Sequence, residues 1–343
     1  MNRKKVLTLL SVIALSLLVL AGCKGKEKEE LVLYTWANMM PQEVLDDFTK
    51  ETGIEVVYAN FDTSENMLEK MNRGESGNYD IIITDDYMID ILRNQGLIQK
   101  LDKSQIPNFG NIDPFYQGYF FDPTDEYTVP YGSGIPLIVY NSEKVDFPVT
   151  SYRDLWRPEF RNSLAMIANY RVVHAVALLS MHESINSSDP EVLEEAGKLL
   201  LELSPNVRVL NDSGLELALL SGEAKAGFVF TSQVTALQNE DPKFKVVVPE
   251  EGVGIGIMGA VISKDAPNAE NAHKFLNYIL QPEVSAKCFE YIGYYSTTKL
   301  ADGMVSSDLI FPENLTGEIM QDVTPEANEQ MIENYMNFQN AIK

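Results

Sequence analysis

Cysteine, histidine and tryptophan are scarce in this chain: two, three and two residues among 343. Cys23 and Cys288 cannot build a thiolate metal site alone. If Cys23 is modified, Cys288 has no partner, so no internal disulfide is expected. The histidines, His174, His182 and His273, fall in no G-x-S-x-G or H-E-x-x-H pattern, and there is no P-loop. These absences lead us to expect a chain that is not an enzyme and holds no cofactor or metal. Basic residues are also few, 27 Lys and Arg against 50 Asp and Glu, for a formal net charge of −23. That balance repels phosphate backbones, so nucleic acid is excluded as a partner, and it weakly favours cationic solutes. No repeat of fixed period is present.

The first feature present is an apolar run. Arg3, Lys4 and Lys5 precede Val6–Leu20, which is broken only by Thr8, Ser11 and Ser16. The run is shorter than the ~20 residues needed to cross a bilayer. A basic start, a short apolar stretch and small residues before a cut site describe a secretory signal peptide over 1–22. Its end, Leu20-Ala21-Gly22-Cys23, is similar to a bacterial lipobox, which implies lipidation at Cys23 and a membrane anchor on the extracytoplasmic face, or a periplasmic location. Residues 23–30 follow as a tether, since Lys24–Glu30 lack apolar side chains.

Beyond the tether the chain is long enough for two domains. Leu31–Thr35 reads as a strand. Pro41 and Gly53 punctuate a helix with Val44, Leu45 and Phe48 on one face. Glu55–Tyr58 is a second strand, and Ser64 is expected to cap a helix ending at Gly74 and Gly77. Asp80–Thr84 is apolar enough to be a strand buried on both faces, and Asp86 is expected to cap the helix after it. This order implies an open, mostly parallel sheet whose ligands bind beyond the carboxyl ends of the strands. Those ends are Trp36, Asn60-Phe61-Asp62 and Asp85-Asp86-Tyr87. Farther on, Ile135–Asn141, Ser163–Ala168, Val207–Leu210 and Ala226–Thr231 read as strands. Pro190–Glu202 and Ser213–Ser221 read as helices. Glu250–Gly256 reads as a glycine-rich piece leading into a strand over Gly259–Ser263, and Asn268–Leu280 as an amphipathic helix.

Many short stretches then carry a resemblance: Leu33-Tyr34-Thr35-Trp36, Tyr79-Asp80-Ile81, Phe121-Asp122-Pro123, Tyr127-Thr128-Val129-Pro130-Tyr131, Asp154–Phe160, Val248–Gly252 and Ile292-Gly293-Tyr294. In number and order the chain resembles the bacterial spermidine/putrescine-binding proteins of ABC transporters, from Leu31 to about Tyr295. The resemblance implies a two-lobe α/β fold, the type II periplasmic-binding-protein fold, with mixed, mostly parallel sheets and a hinge of crossing strands. It places one lobe at 30–134 plus 257–303 and the other at 135–256 plus 304–343. It also implies a permease and its ATPase as partners, and a polyamine as ligand.

Residue by residue, the resemblance implies ligand contacts at Trp36, Tyr87 and Tyr294, and a stacking face at Phe230 in place of a tryptophan. The acids that grip the amines do not carry over: Asn169, Val172 and Met258 stand in their places, with Arg171 beside the second. Asp85 stands where the family has a small hydroxyl residue and is the best substitute anchor; Asp62 and Glu65 are lesser candidates. Three ligand readings stay open: a polyamine on a rearranged acid set; a smaller monoamine or amino-acid-like solute anchored by Asp85, with Arg171 facing an anionic end; and a flatter, more apolar aromatic amine stacked between Trp36, Tyr87, Phe230 and Tyr294, given room by Gly252, Gly254, Gly256 and Gly259. A structural or adhesive surface lipoprotein is the alternative of another class. Iron held by Tyr294 and Tyr295 lacks an accompanying histidine or acid.

Overall fold

The computed structural model describes residues 29–211, 214–305 and 315–342; the expected signal peptide and Cys23 lie outside them. The chain begins with β1 (Glu30–Thr35), α1 (Gln42–Thr52), β2 (Glu55–Asn60), α2 (Ser64–Lys70), β3 (Ile81–Asp85) and α3 (Asp86–Asn94). β1 pairs in parallel with β2 and β3. Ile81, Ile82 and Ile83 are all fully buried, as a strand covered on both faces requires. Gly53 ends α1 at φ 78, and its N–H returns to the Thr49 carbonyl at 2.8 Å. The buried face of α1, Val44, Leu45 and Phe48, packs on a later helix through Phe48 and Phe275, ring centres 5.0 Å apart.

β4 (Ile98–Gln99) and β5 (Thr128–Gly134) complete this part, and Ile135 alone separates β5 from β6 (Pro136–Asn141). The chain then builds β7 (Leu164–Met166), α4 (Tyr170–Ser180), α5 (Pro190–Leu203), β8 (Val207–Leu210), α6 (Leu215–Leu220), β9 (Ala226–Phe230), α7 (Thr231–Glu240) and β10 (Phe244–Val247). It returns through β11 (Val253–Ser263), α8 (Ala269–Ile279) and α9 (Pro282–Ile292), and closes with β12 (Gly317–Ile319) and α10 (Pro325–Ala341).

Two sheets result. One runs β12-β11-β3-β1-β2, with β4 and β5 also on β11; the other runs β10-β6-β9-β7-β8. Both are mixed. β11 runs antiparallel to β3, β4 and β5, and β6 runs antiparallel to β9 and β10. The antiparallel share exceeds what the opening β-α-β pattern implies, because the returning strand inserts beside β3.

Local details also differ from the sequence reading. Thr63, not Ser64, caps α2, accepting the Asn66 N–H at 3.2 Å. The strand expected over Gly259–Ser263 starts earlier: Gly254 and Gly256 of the glycine-rich stretch lie inside the 11-residue β11. Asp86 is the first residue of α3 rather than its cap, and its carboxylate accepts the N–H groups of Tyr87 (2.8 Å) and Ile257 (2.9 Å). It thereby ties α3 to β11. Among the described residues no helix is long and apolar enough to cross a membrane.

Candidate functional site

Between the two sheets lies a cleft of about 1110 Å³, just above the range typical of small-molecule sites. The first sheet contributes the strand ends, as such sheets do. After β1 the chain turns through Asn38 at φ 60. The Tyr58 hydroxyl donates to the Trp36 carbonyl (2.7 Å) and accepts the Met39 N–H (3.0 Å), while the Tyr131 hydroxyl donates to the Met39 carbonyl (2.6 Å). Trp36 meets Phe61 edge-on at 4.8 Å. The indole is thus held from below with its remaining surface on the cleft.

Asp85 ends β3. The buried Ser64 hydroxyl donates to it at 3.1 Å. Burial pushes the Asp85 carboxyl up to about 6; the Ser64 hydrogen bond opposes this and the Glu65 charge adds to it. Tyr87 stands two residues on, and its hydroxyl donates to Glu65 at 3.2 Å. In the β3–β11 pairing, Asp85 lies directly across from Met258, which also faces the cleft. Tyr294 follows Gly293, the left-handed residue that ends α9. Its ring lies on the bare backbone of Gly134, where an added Cβ would come within 3.0 Å of the ring. Burial pushes the Tyr294 hydroxyl up to about 12; the Asp85 charge acts in the same direction and a Ser232 hydrogen bond acts against it.

The second sheet supplies the opposite wall. Asn169 caps α4, its side-chain oxygen accepting the N–H groups of Arg171 (3.0 Å) and Val172 (3.1 Å). Tyr170 bonds Asn328 of α10 at 2.7 Å. Phe230 ends β9, Ser232 and Gln233 open α7, Glu216 projects from α6, and Ile332 and Tyr335 come from α10.

The structure therefore brings together seven of the eight expected contact residues: Trp36, Asp85, Tyr87, Asn169, Phe230, Met258 and Tyr294. Arg171 is a correction. It is 4% exposed, lies outside the cleft, and donates to the Gln321 carbonyl (2.9 Å) and to Asn186 (3.4 Å). The first turn of α4 presents Tyr170 to the cleft and turns Arg171 toward the 319–321 segment. An anionic ligand end therefore has no guanidinium to meet. The glycines are a second correction. None of Gly252, Gly254, Gly256 and Gly259 lines the cleft; Gly259 instead admits Thr128 and Ile89, whose atoms would lie 2.3 and 2.7 Å from an added Cβ. The extra room for a flat ligand is not there.

Sequence reasoning missed Glu216, Tyr170, Tyr291, Asn328 and Tyr335, all in the lining. Tyr291 is 50% exposed at the mouth, although Cys288, on the preceding turn of α9, is a buried free thiol. In sum, the described lining carries four carboxylates (Asp62, Glu65, Asp85, Glu216) and seven aromatic rings, and no Lys, Arg or His. Among the described residues no group of three or more His, Cys, Asp or Glu could hold a metal ion.

A two-sheet α/β fold enclosing such a cleft defines a solute receptor. The model of the bacterial extracellular solute-binding protein family matches residues 43–312, and the chain belongs to that family. Its relatives include the spermidine/putrescine-binding periplasmic protein of Salmonella typhimurium, 34% identical over 313 residues, covering 89% of this chain and 90% of the relative. The putrescine/agmatine-binding protein of Pseudomonas aeruginosa is 29% identical over 321 residues, covering 87% of each. Among solved structures, the spermidine/putrescine ABC transporter substrate-binding protein PotD of Streptococcus pneumoniae superposes with a TM-score of 0.82 at 29% identity, covering 92% of this chain and 100% of that one.

Proposed function

We propose that this protein captures a polyamine of the putrescine or spermidine class outside the membrane and delivers it to an ABC permease driven by its ATPase. One observation carries the reading: a cleft with four carboxylates, seven aromatic rings and no cationic side chain among its described lining. Ammonium groups leaving water need charged acceptors, and aromatic faces accept both the methylene stem and the cation. The relatives' names, spermidine/putrescine-binding and putrescine/agmatine-binding, point the same way.

The lobes divide at 134/135 and 256/257, with 30–134 plus 257–303 opposing 135–256 plus 304–343. The change of sheet across Ile135 supports this, as do the bonds of Glu318 to Ser184 (2.6 Å) and of the Ile319 carbonyl to Asn186 (2.9 Å). Closure follows because only the closed state offers the ligand both walls. The role is binding and delivery, not catalysis.

A thermal-shift measurement with putrescine and spermidine tests the ligand. At 100 times Kd the protein is expected to gain about 2.7 kcal/mol. Absence of any shift at millimolar concentrations of both amines overturns the polyamine reading and leaves solute capture standing. The anchor is a separate matter: Cys23 carries the lipid and holds the protein to the membrane. Cys23→Ala is expected to move the protein from the membrane fraction to the soluble one; an unchanged distribution on fractionation refutes the anchor.

A further inference from the structure

We propose that Glu216 is a second ammonium anchor, on the wall opposite Asp85, so that the ligand is an amine with at least two cationic centres that bridges the two sheets. The inference rests on the polyamine reading and deepens it. Glu216 lies on α6, which packs against β7 and β9 of the second sheet. Leu215, Ala218 and Leu219 are buried and fix the helix, while Glu216 faces the cleft. Its Oε2 is closed off from solvent, and no donor among the described residues reaches it. A carboxylate oxygen withdrawn from water and left without a donor is destabilising, and nothing charged in the cleft compensates it, since the described lining holds no Lys, Arg or His. An ammonium group of the ligand in the cleft supplies the missing charge to this carboxylate.

The other acids cannot take this part. Asp85 ends a strand of the first sheet, and Asp62 and Glu65 follow another. Asp62 and Glu65 are exposed, and Glu65 already accepts the Tyr87 hydroxyl. A ligand with one ammonium, seated at Asp85, leaves Glu216 uncompensated and gives the second wall no charge to close on. A ligand with two satisfies both walls only when both are engaged. Glu216 thus selects against monoamines and couples closure to the presence of a second charge.

The test is calorimetric titration of the purified protein and of Glu216→Gln with putrescine and spermidine, with unliganded melting curves as a folding control. Glu216→Gln keeps the shape and removes the charge. It is expected to bind both amines at least about 30-fold more weakly, the lower end of the cost of truncating one partner of a buried charge pair. Glu216→Asp, which keeps the charge and shortens its reach, is expected to weaken binding by a smaller factor, and it decides the matter if the glutamine variant does not fold. Wild-type affinity in both variants overturns the proposal while the polyamine reading stands. A wild-type protein that binds neither amine overturns the polyamine reading, and the role of Glu216 with it.

Discussion

Asp85→Asn is expected to weaken putrescine and spermidine binding by about 30-fold to several thousand-fold, the range that follows from removing one partner of a buried charge pair. The carboxylate stands at the end of β3 and accepts a hydrogen bond from Ser64, and the described lining offers it no cationic side chain. On the polyamine reading, ligand charge compensates it. The register adds a sharper test. Family resemblance implies an acid at 258, where this chain has Met258, and a small hydroxyl residue at 85, where it has Asp85. These two positions lie directly across the β3–β11 pairing, where facing Cβ atoms are about 5 Å apart. The charge has moved one strand sideways, a distance a flexible amine can follow. Asp85→Ser combined with Met258→Asp should therefore recover at least about tenfold of the lost affinity; no recovery would separate the two positions.

The same carboxyl sets a pH dependence. Burial pushes Asp85 up to about 6, and cation binding requires its ionised form. Affinity is thus fully present well above pH 6 and lost as pH falls through it. At pH 5 about one carboxyl in ten is ionised, so Kd should be about tenfold weaker than at pH 7.5. In Asp85→Asn this part of the profile should be flat. Asp86, adjacent and pushed up to about 8 by burial, with the Asp85 charge adding, is held on the Ile257 and Tyr87 N–H groups and does not line the cleft.

What could be read from the sequence, and what could not, follows from how local each determinant is. The opening β-α-β order, the Pro41 and Gly53 punctuation and the strand ends bearing Trp36, Asp85 and Tyr87 depend on neighbours a few residues away, and they were legible. Arg171 was not. Three consecutive side chains, Asn169, Tyr170 and Arg171, enter a helix there, and the cap geometry decides which one faces the cleft. Asn169 spends its oxygen on the cap, Tyr170 reaches Asn328 of α10, and Arg171 reaches Gln321. Both of those partners lie some 150 residues on. Glu216 was hidden for a related reason: a single acid on a short apolar helix reads as a solvated face until the opposite wall is in place. The stretch 252–259 was misjudged because glycine weakens strand propensity. Here its missing side chains admit Thr128 and Ile89 at Gly259, and bring Gly256 beside the Gly134 carbonyl.

Asp80 illustrates the same limit and carries the largest expected loss of stability. Sequence pattern places it merely at the start of a buried strand. In the fold it is fully buried, just ahead of β3, and its carboxylate accepts the Val32 N–H (2.8 Å), the Asn268 N–H (2.7 Å) and the Asn268 side-chain amide (3.1 Å). One side chain thus fastens β1 to the segment entering α8. Asp80→Ala leaves those donors without an acceptor in a site closed to water. Unpartnered buried groups cost about 1–3 kcal/mol each, more when the lost partner was charged, so the variant should lose roughly 3–5 kcal/mol. That corresponds to a fall of roughly 10 °C in the first unfolding transition, read by calorimetry. Asp80→Asn keeps one accepting oxygen and should lose less. Asp80 lies about 15 Å along the strand from Asp85 and outside the cleft lining. Polyamine affinity of the folded fraction should therefore be unchanged in both variants. A melting temperature equal to that of the wild type in Asp80→Ala would show that the three donors find other acceptors, and that β1 and α8 are held together by their apolar contacts alone.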